Sequence, residues 1–145
     1  MPLLLLALAA VMFGLYNVFI KMSASHIQAI LGAVVLQFVA AFVGLGLMFY
    51  LKVSQSVSMH ATPKGVALAI SAGIAIGLVE ILTFIIYGKG VPVAVGNPLI
   101  IGGSLVVTTG VGILFLRESI SLIQLVGILL IIGGLLILAL NAGKS

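Results

Sequence analysis

The 145-residue chain has no cysteine and no tryptophan, and its only acidic residues are Glu80 and Glu118, against six Lys and Arg. Each shortage excludes something. Without cysteine there is no disulfide framework, thiol nucleophile or cysteine-based metal site. With 6% charged residues, against about 25% in soluble domains, an aqueous globular fold is excluded. Two isolated carboxylates make no catalytic pair, and no Ser-His-Asp set or phosphate loop occurs, so enzyme readings have little support. His26 and His60 have no carboxylate at ligand spacing, so neither a metal site nor a cofactor is expected. The net charge of +4 comes from basic residues placed singly at segment ends, which reads as membrane-boundary anchoring and not as a nucleic-acid surface. Aromatics at 7% and no Trp give no evident cage for large organic cations.

What the chain does have is apolar length. It is 63% hydrophobic, with a mean hydropathy of +1.51. A spanning helix needs about 20 mostly apolar residues, and five runs qualify: 3–20, 29–51, 65–87, 92–116 and 122–140. Spanning strands are about half as long and alternate in polarity, which these runs do not. Helices then satisfy the backbone in lipid. The expected fold class is an all-α integral membrane protein with five transmembrane helices in a single domain over residues 1–145. The start, MPLLLLALAA, has Ala7-Leu8-Ala9 in the manner of a signal-peptide cleavage site. No Lys or Arg precedes it and the apolar run continues to Ile20, so it reads as an uncleaved first helix. Thr62-Pro63 is a good helix start, Gly88-Lys89-Gly90 a tight turn, and Ser119 or Ser121 the cap of the last helix.

Five crossings place Lys52, Lys64 and Arg117 on one side and Lys21, Lys89 and Lys144 on the other. A three-to-three balance lacks the bias that sets orientation, so insertion in both directions is expected. The alternative is that the N-terminal amine and a partly charged His60 place the N-terminus inside.

Glu80 is the residue of greatest interest, since ionising a carboxylate in hydrocarbon costs a few kcal/mol or more and such groups face a cavity or a partner. On a 3.6 period it shares a face with Gly73, Gly77, Phe84 and Tyr87, with Thr83 beside it. The functional reading is a proton or cation site. The structural reading is a protonated carboxyl bonded across helices or reaching Lys89. In the fourth run Pro98 removes a ladder donor and clashes with the carbonyl of Ala94, predicting a helix break. Asn97 adjoins it, and Ser104 and Thr108 follow on its face. This is a cavity wall or a tolerated kink whose hydroxyls bond back to their own helix. Tyr16, Asn17 and Gln37 are lone polar groups suited to interhelical hydrogen bonds or ligand contacts. Gly127 and Gly134, one heptad apart, form a stripe for dimer packing, or for packing within one chain.

The C-terminal half, VPVAVGNPLIIGGSLVVTTGVGILFLRESISLIQLVGILLIIGGLLIL, resembles the end of an EamA-type repeat of the drug/metabolite transporter superfamily. A small-residue turn leads to a helix rich in small and hydroxyl residues, and the acidic turn holds Glu118. Ser121 is the cap, and Gly127 and Gly134 carry the final spacing. The opening FGLYNVFIKMS, with Asn17 and Lys21, is also similar to the family's first helix. Members commonly hold two five-helix repeats; this chain holds one. The related small multidrug resistance proteins are single-repeat antiparallel dimers with a first-helix glutamate. Phe13 fills the comparable place here, so their glutamate-based exchange does not carry over, and Glu80 is not a general family signature.

The resemblance implies a multi-pass protein of a prokaryotic inner or plasma membrane that moves small solutes. Transporters of this kind are built from inverted halves with the site between them. A second, inverted copy would supply the missing half, so an antiparallel homodimer exporting small metabolites or drug-like solutes by alternating access, proton-coupled through Glu80, is the expected function. A non-transporting scaffold subunit and one half of a heterodimeric lipid-sugar flippase are the other readings.

Overall fold

The structure, a computed structural model, describes residues 2–55 and 60–141. Five helices run in chain order: α1 (Pro2–Ser23), α2 (Ala29–Val53), α3 (Pro63–Gly88), α4 (Val93–Leu114) and α5 (Leu122–Asn141). All five are long and apolar enough to cross a membrane. The helices match the five expected runs; the starts of α2 and α5 coincide and the other ends differ by one to three residues. Lys144, counted in the charge balance, lies outside the described residues.

The helix ends follow local chemistry. Gln28 caps α2 by accepting from the Leu31 amide at 2.9 Å. The Thr62 hydroxyl accepts from Gly65 at 3.1 Å, with Pro63 at the first helical position, as the sequence predicts. Of the two serines before α5, Ser121 is the cap. Its hydroxyl accepts from the Gln124 amide while Gln124 Oε1 accepts from the Ser121 amide, a reciprocal box that satisfies two otherwise free donors. α4 stops at Leu114, two residues before the expected end. There the Leu116 amide donates to the Val111 carbonyl and Glu118 to Gly112, and Arg117 turns to φ 56°.

Pro98 requires a correction. α4 continues through it, so there is a missing ladder donor and not a broken helix. Proline inside an apolar helix is tolerated where the freed carbonyl is accommodated locally.

The chain divides into two compact units, Met1–Gly90 and Val91–Ser145. In the first, α3 packs against both α1 and α2. It therefore holds four of the buried residues, Glu80, Thr83, Phe84 and Tyr87. Gly32 permits the α2 contact, since a Cβ there would lie 2.6 Å from the Phe84 ring; small residues let backbones approach where lipid provides no hydrophobic drive. In the second unit α4 packs on α5, and Gly102 receives the Leu135 side chain so closely that a Cβ would overlap it.

Candidate functional site

The polar side chains of the first unit converge between α1 and α3. Asn17 Nδ2 donates to the Phe13 carbonyl at 2.9 Å, which orients the amide oxygen outward from α1. That oxygen accepts from the Tyr87 hydroxyl at 3.3 Å. Lys21 Nζ donates to the Tyr87 carbonyl at 3.1 Å and lies 6.0 Å from the centre of the Tyr87 ring. The Tyr87 carbonyl also accepts from the Gly90 amide at 3.0 Å, and its second lone pair, at the negative end of the helix dipole, suits a cation. Asn17 and Tyr87 are each only 2% exposed. Together the three residues clasp the C-terminal ends of α1 and α3.

Glu80 lies eight residues before the end of α3, about 12 Å inward at the helical rise. It is 3% exposed. Tyr16 of α1 lines the same groove as the carboxyl, and Oε2 of the carboxyl is buried with no hydrogen-bond partner. An unpaired buried acceptor is costly, on the order of 1–3 kcal/mol, so an unpartnered carboxyl oxygen in this place calls for a ligand or a proton.

Beside that carboxyl runs a groove of about 670 Å³. Ala9, Met12, Phe13 and Tyr16 line it from α1, Leu36, Gln37 and Ala40 from α2, and Gly73, Ile76 and Glu80 from α3. The rings of Phe13 and Tyr16 stand 5.4 Å apart, inclined by 30°. The lining residues on α3 precede Glu80, so the groove extends from the carboxyl away from the clasp. A second hollow of about 420 Å³, on the clasp side, includes Ile20, Ser23, Ile27, Gly32 and Phe84. Tyr16 and Leu36 line both and so form the divide.

The expected site residues divide along the chain. Tyr16, Asn17, Gln37, Glu80, Thr83 and Tyr87 are all in the first unit. Gln37 is half-buried against Gly77, where a Cβ would come within 3.4 Å of its oxygen. Thr83 is buried, and its hydroxyl donates to the Val79 carbonyl of its own helix at 2.8 Å. Lys21, and not Lys89, is the cation bound to the end of α3.

In the second unit Asn97 Oδ1 is buried without a partner, in a hollow shared with Pro98, Ile101, Leu105, Ile131 and Leu135. Ser104 donates to Ile101 at 2.7 Å and Thr108 to Ser104 at 2.9 Å. Both residues are exposed, so these hydroxyls serve their own helix. A Cβ at Gly127 or Gly134 would meet nothing within 4 Å, so neither glycine is filled by a neighbour as Gly102 is. Among the described residues no group of His, Asp or Glu is placed to hold a metal.

Met12, Phe13, Leu36 and Ile76 line the groove although their residue types do not mark them as site residues. Their helices are apolar all round, so a wall residue and a lipid-facing residue look alike. The signal available was the i, i+3 spacing of Phe13 and Tyr16 on the helix that faces Glu80.

A model of the EamA-like transporter family matches residues 1–140. No curated protein and no solved structure gives a significant match.

Proposed function

Because the chain belongs to the EamA-like transporter family of the drug/metabolite transporter superfamily, whose members are transporters and not enzymes, we propose that it is a secondary-active exporter of small metabolites or drug-like solutes. Its place is the inner or plasma membrane of a prokaryote, and it works by alternating access with Glu80 as the proton-coupling group. The observation that carries this is the carboxyl itself, 3% exposed with one oxygen unpartnered at the edge of a groove among membrane-spanning helices. A charge is hard to hold there, so occupation by a proton or by substrate changes the energy of the site enough to bias two arrangements of the helices. The clasp of Lys21, Asn17 and Tyr87 lies on the side of Glu80 opposite to the groove, which supports a gate role at that end of α1 and α3.

The second half of the site comes from a second copy inserted upside down. Two features support the antiparallel homodimer: a single repeat where inverted pairs are the working unit, and three basic residues on each side of the five crossings. Gly127 and Gly134, unfilled by neighbours, suit a packing stripe of that dimer.

Proteoliposomes with an imposed pH gradient test the coupling. Wild type is expected to drive gradient-dependent flux of solutes from a panel of amino acids, amines and sugars, while Glu80→Gln falls to the level of protein-free vesicles. Equal, still proton-coupled flux in the variant removes the coupling role. A tag at the C-terminal end tests the assembly. It is expected to be accessible from both sides in comparable amounts, and a single orientation overturns the antiparallel homodimer.

A further inference from the structure

We propose that the groove beside Glu80 takes a small ammonium ion that carries at least one N–H and an apolar body. This deepens the transporter reading by naming the substrate class, and rests on it for the transport step after binding. Among the described residues, the carboxyl is the only charged group on the groove's lining. Lys21 is held on the Tyr87 carbonyl and does not line it. An anion would therefore meet a carboxylate with no cation to offset it, whereas a positive charge balances that carboxylate.

The form of the cation comes from the rest of the lining. Beyond Glu80 the polar contributions come from Tyr16 and Gln37, and the remaining walls are apolar, including Phe13 and Ile76. Calcium needs six or more oxygens and magnesium near-octahedral oxygen and water, and zinc four ligands drawn chiefly from Cys and His, which this set does not supply. A carbon body gains from the same walls by leaving water, and the adjacent Phe13 and Tyr16 rings attract a cation placed over their faces. The volume of about 670 Å³ lies within the range of metabolite and drug sites, about 300–1,000 Å³.

The unpartnered Oε2 of Glu80 is an acceptor in need of a donor. A primary or secondary ammonium provides one, and a quaternary ammonium, with the same charge, does not. Sites built around a buried polar group discriminate strongly against analogues that leave it unpaired.

Equilibrium binding of 2-phenylethylammonium to the full chain in lipid nanodiscs tests this, with 2-phenylethanol as the neutral analogue and its N,N,N-trimethyl derivative as the quaternary one. The ammonium is expected to bind about tenfold or more tightly than either analogue, the size of a charge-assisted hydrogen bond. Glu80→Gln removes the preference over the alcohol. Ala40→Trp, which fills the groove and leaves the carboxyl in place, abolishes binding and keeps the proposal testable if the Glu80 variant misfolds. Equal affinity for the three compounds, absence of binding to folded wild type, or full binding in Ala40→Trp each overturns the proposal. Its failure is separable from that of the transporter reading. Glu80-dependent proton-coupled flux without ammonium preference sinks only the substrate class; Glu80-dependent ammonium binding without flux sinks only the transport.

Discussion

The two units differ in whether polar side chains inside the membrane-spanning helices bond across helices. In the first, side chains reach across helices, Tyr87 to Asn17 and Lys21 to the end of α3, although Thr83 turns back on its own helix. In the second, they turn back on their own helix, as with Ser104, Thr108 and Asn141, and α4 meets α5 through a glycine–leucine contact. A side chain bonded to its own turn says nothing about its neighbours, whereas a bond across helices fixes their register. The first unit is thus where side-chain bonds tie one helix to another. The second is a packed pair, and Asn97 Oδ1 is its unpartnered buried atom.

This contrast can be broken at several strengths. The largest effects on stability should come from filling the glycine contacts. Gly102→Leu forces out Leu135, and Gly32→Leu drives into the Phe84 ring. Overpacking of this kind costs about 1–3 kcal/mol, read as a shift in unfolding in mixed micelles. Gly127→Leu, with open space around it in the chain, is expected to change monomer unfolding little and to weaken self-association instead.

Tyr87→Phe tests the clasp. It removes one interhelical bond, worth about 1 kcal/mol in membranes, and leaves Asn17 Oδ1 without its donor. If the clasp is a gate, this variant also leaks solute down a gradient; a stability loss with unchanged leak would reduce it to a structural tie. The smallest effect is expected from Thr108→Val, within about 0.5 kcal/mol as for exposed sites in general. A loss as large as that of Tyr87→Phe would erase the distinction between the units.

Much of this is legible in the residues without any fold. The five spans, the Thr62 cap and the burial of Glu80 come from run length, capping chemistry and the cost of a carboxylate in lipid. The choice between Ser119 and Ser121 turns on Gln124, three residues after Ser121. Pro98 misleads: its missing donor is a property of the residue, but whether a helix breaks there depends on what accommodates the freed carbonyl. Thr83, Ser104 and Thr108 are candidates by position, and only the structure shows that each hydroxyl donates to its own helix.

The sequence by itself determined that this is a multi-pass helical membrane protein, because a chain this apolar and this poor in charge has no other way to satisfy its backbone. Its resemblance to EamA repeats was also readable from short motifs. The tertiary structure decided which polar groups meet. In water, an apolar stripe on a polar helix marks the buried face; in lipid, both faces are apolar and that contrast is gone. Only packing shows that α3 lies between α1 and α2, that Lys21 closes on Tyr87, and that one oxygen of Glu80 stands unpartnered beside a groove.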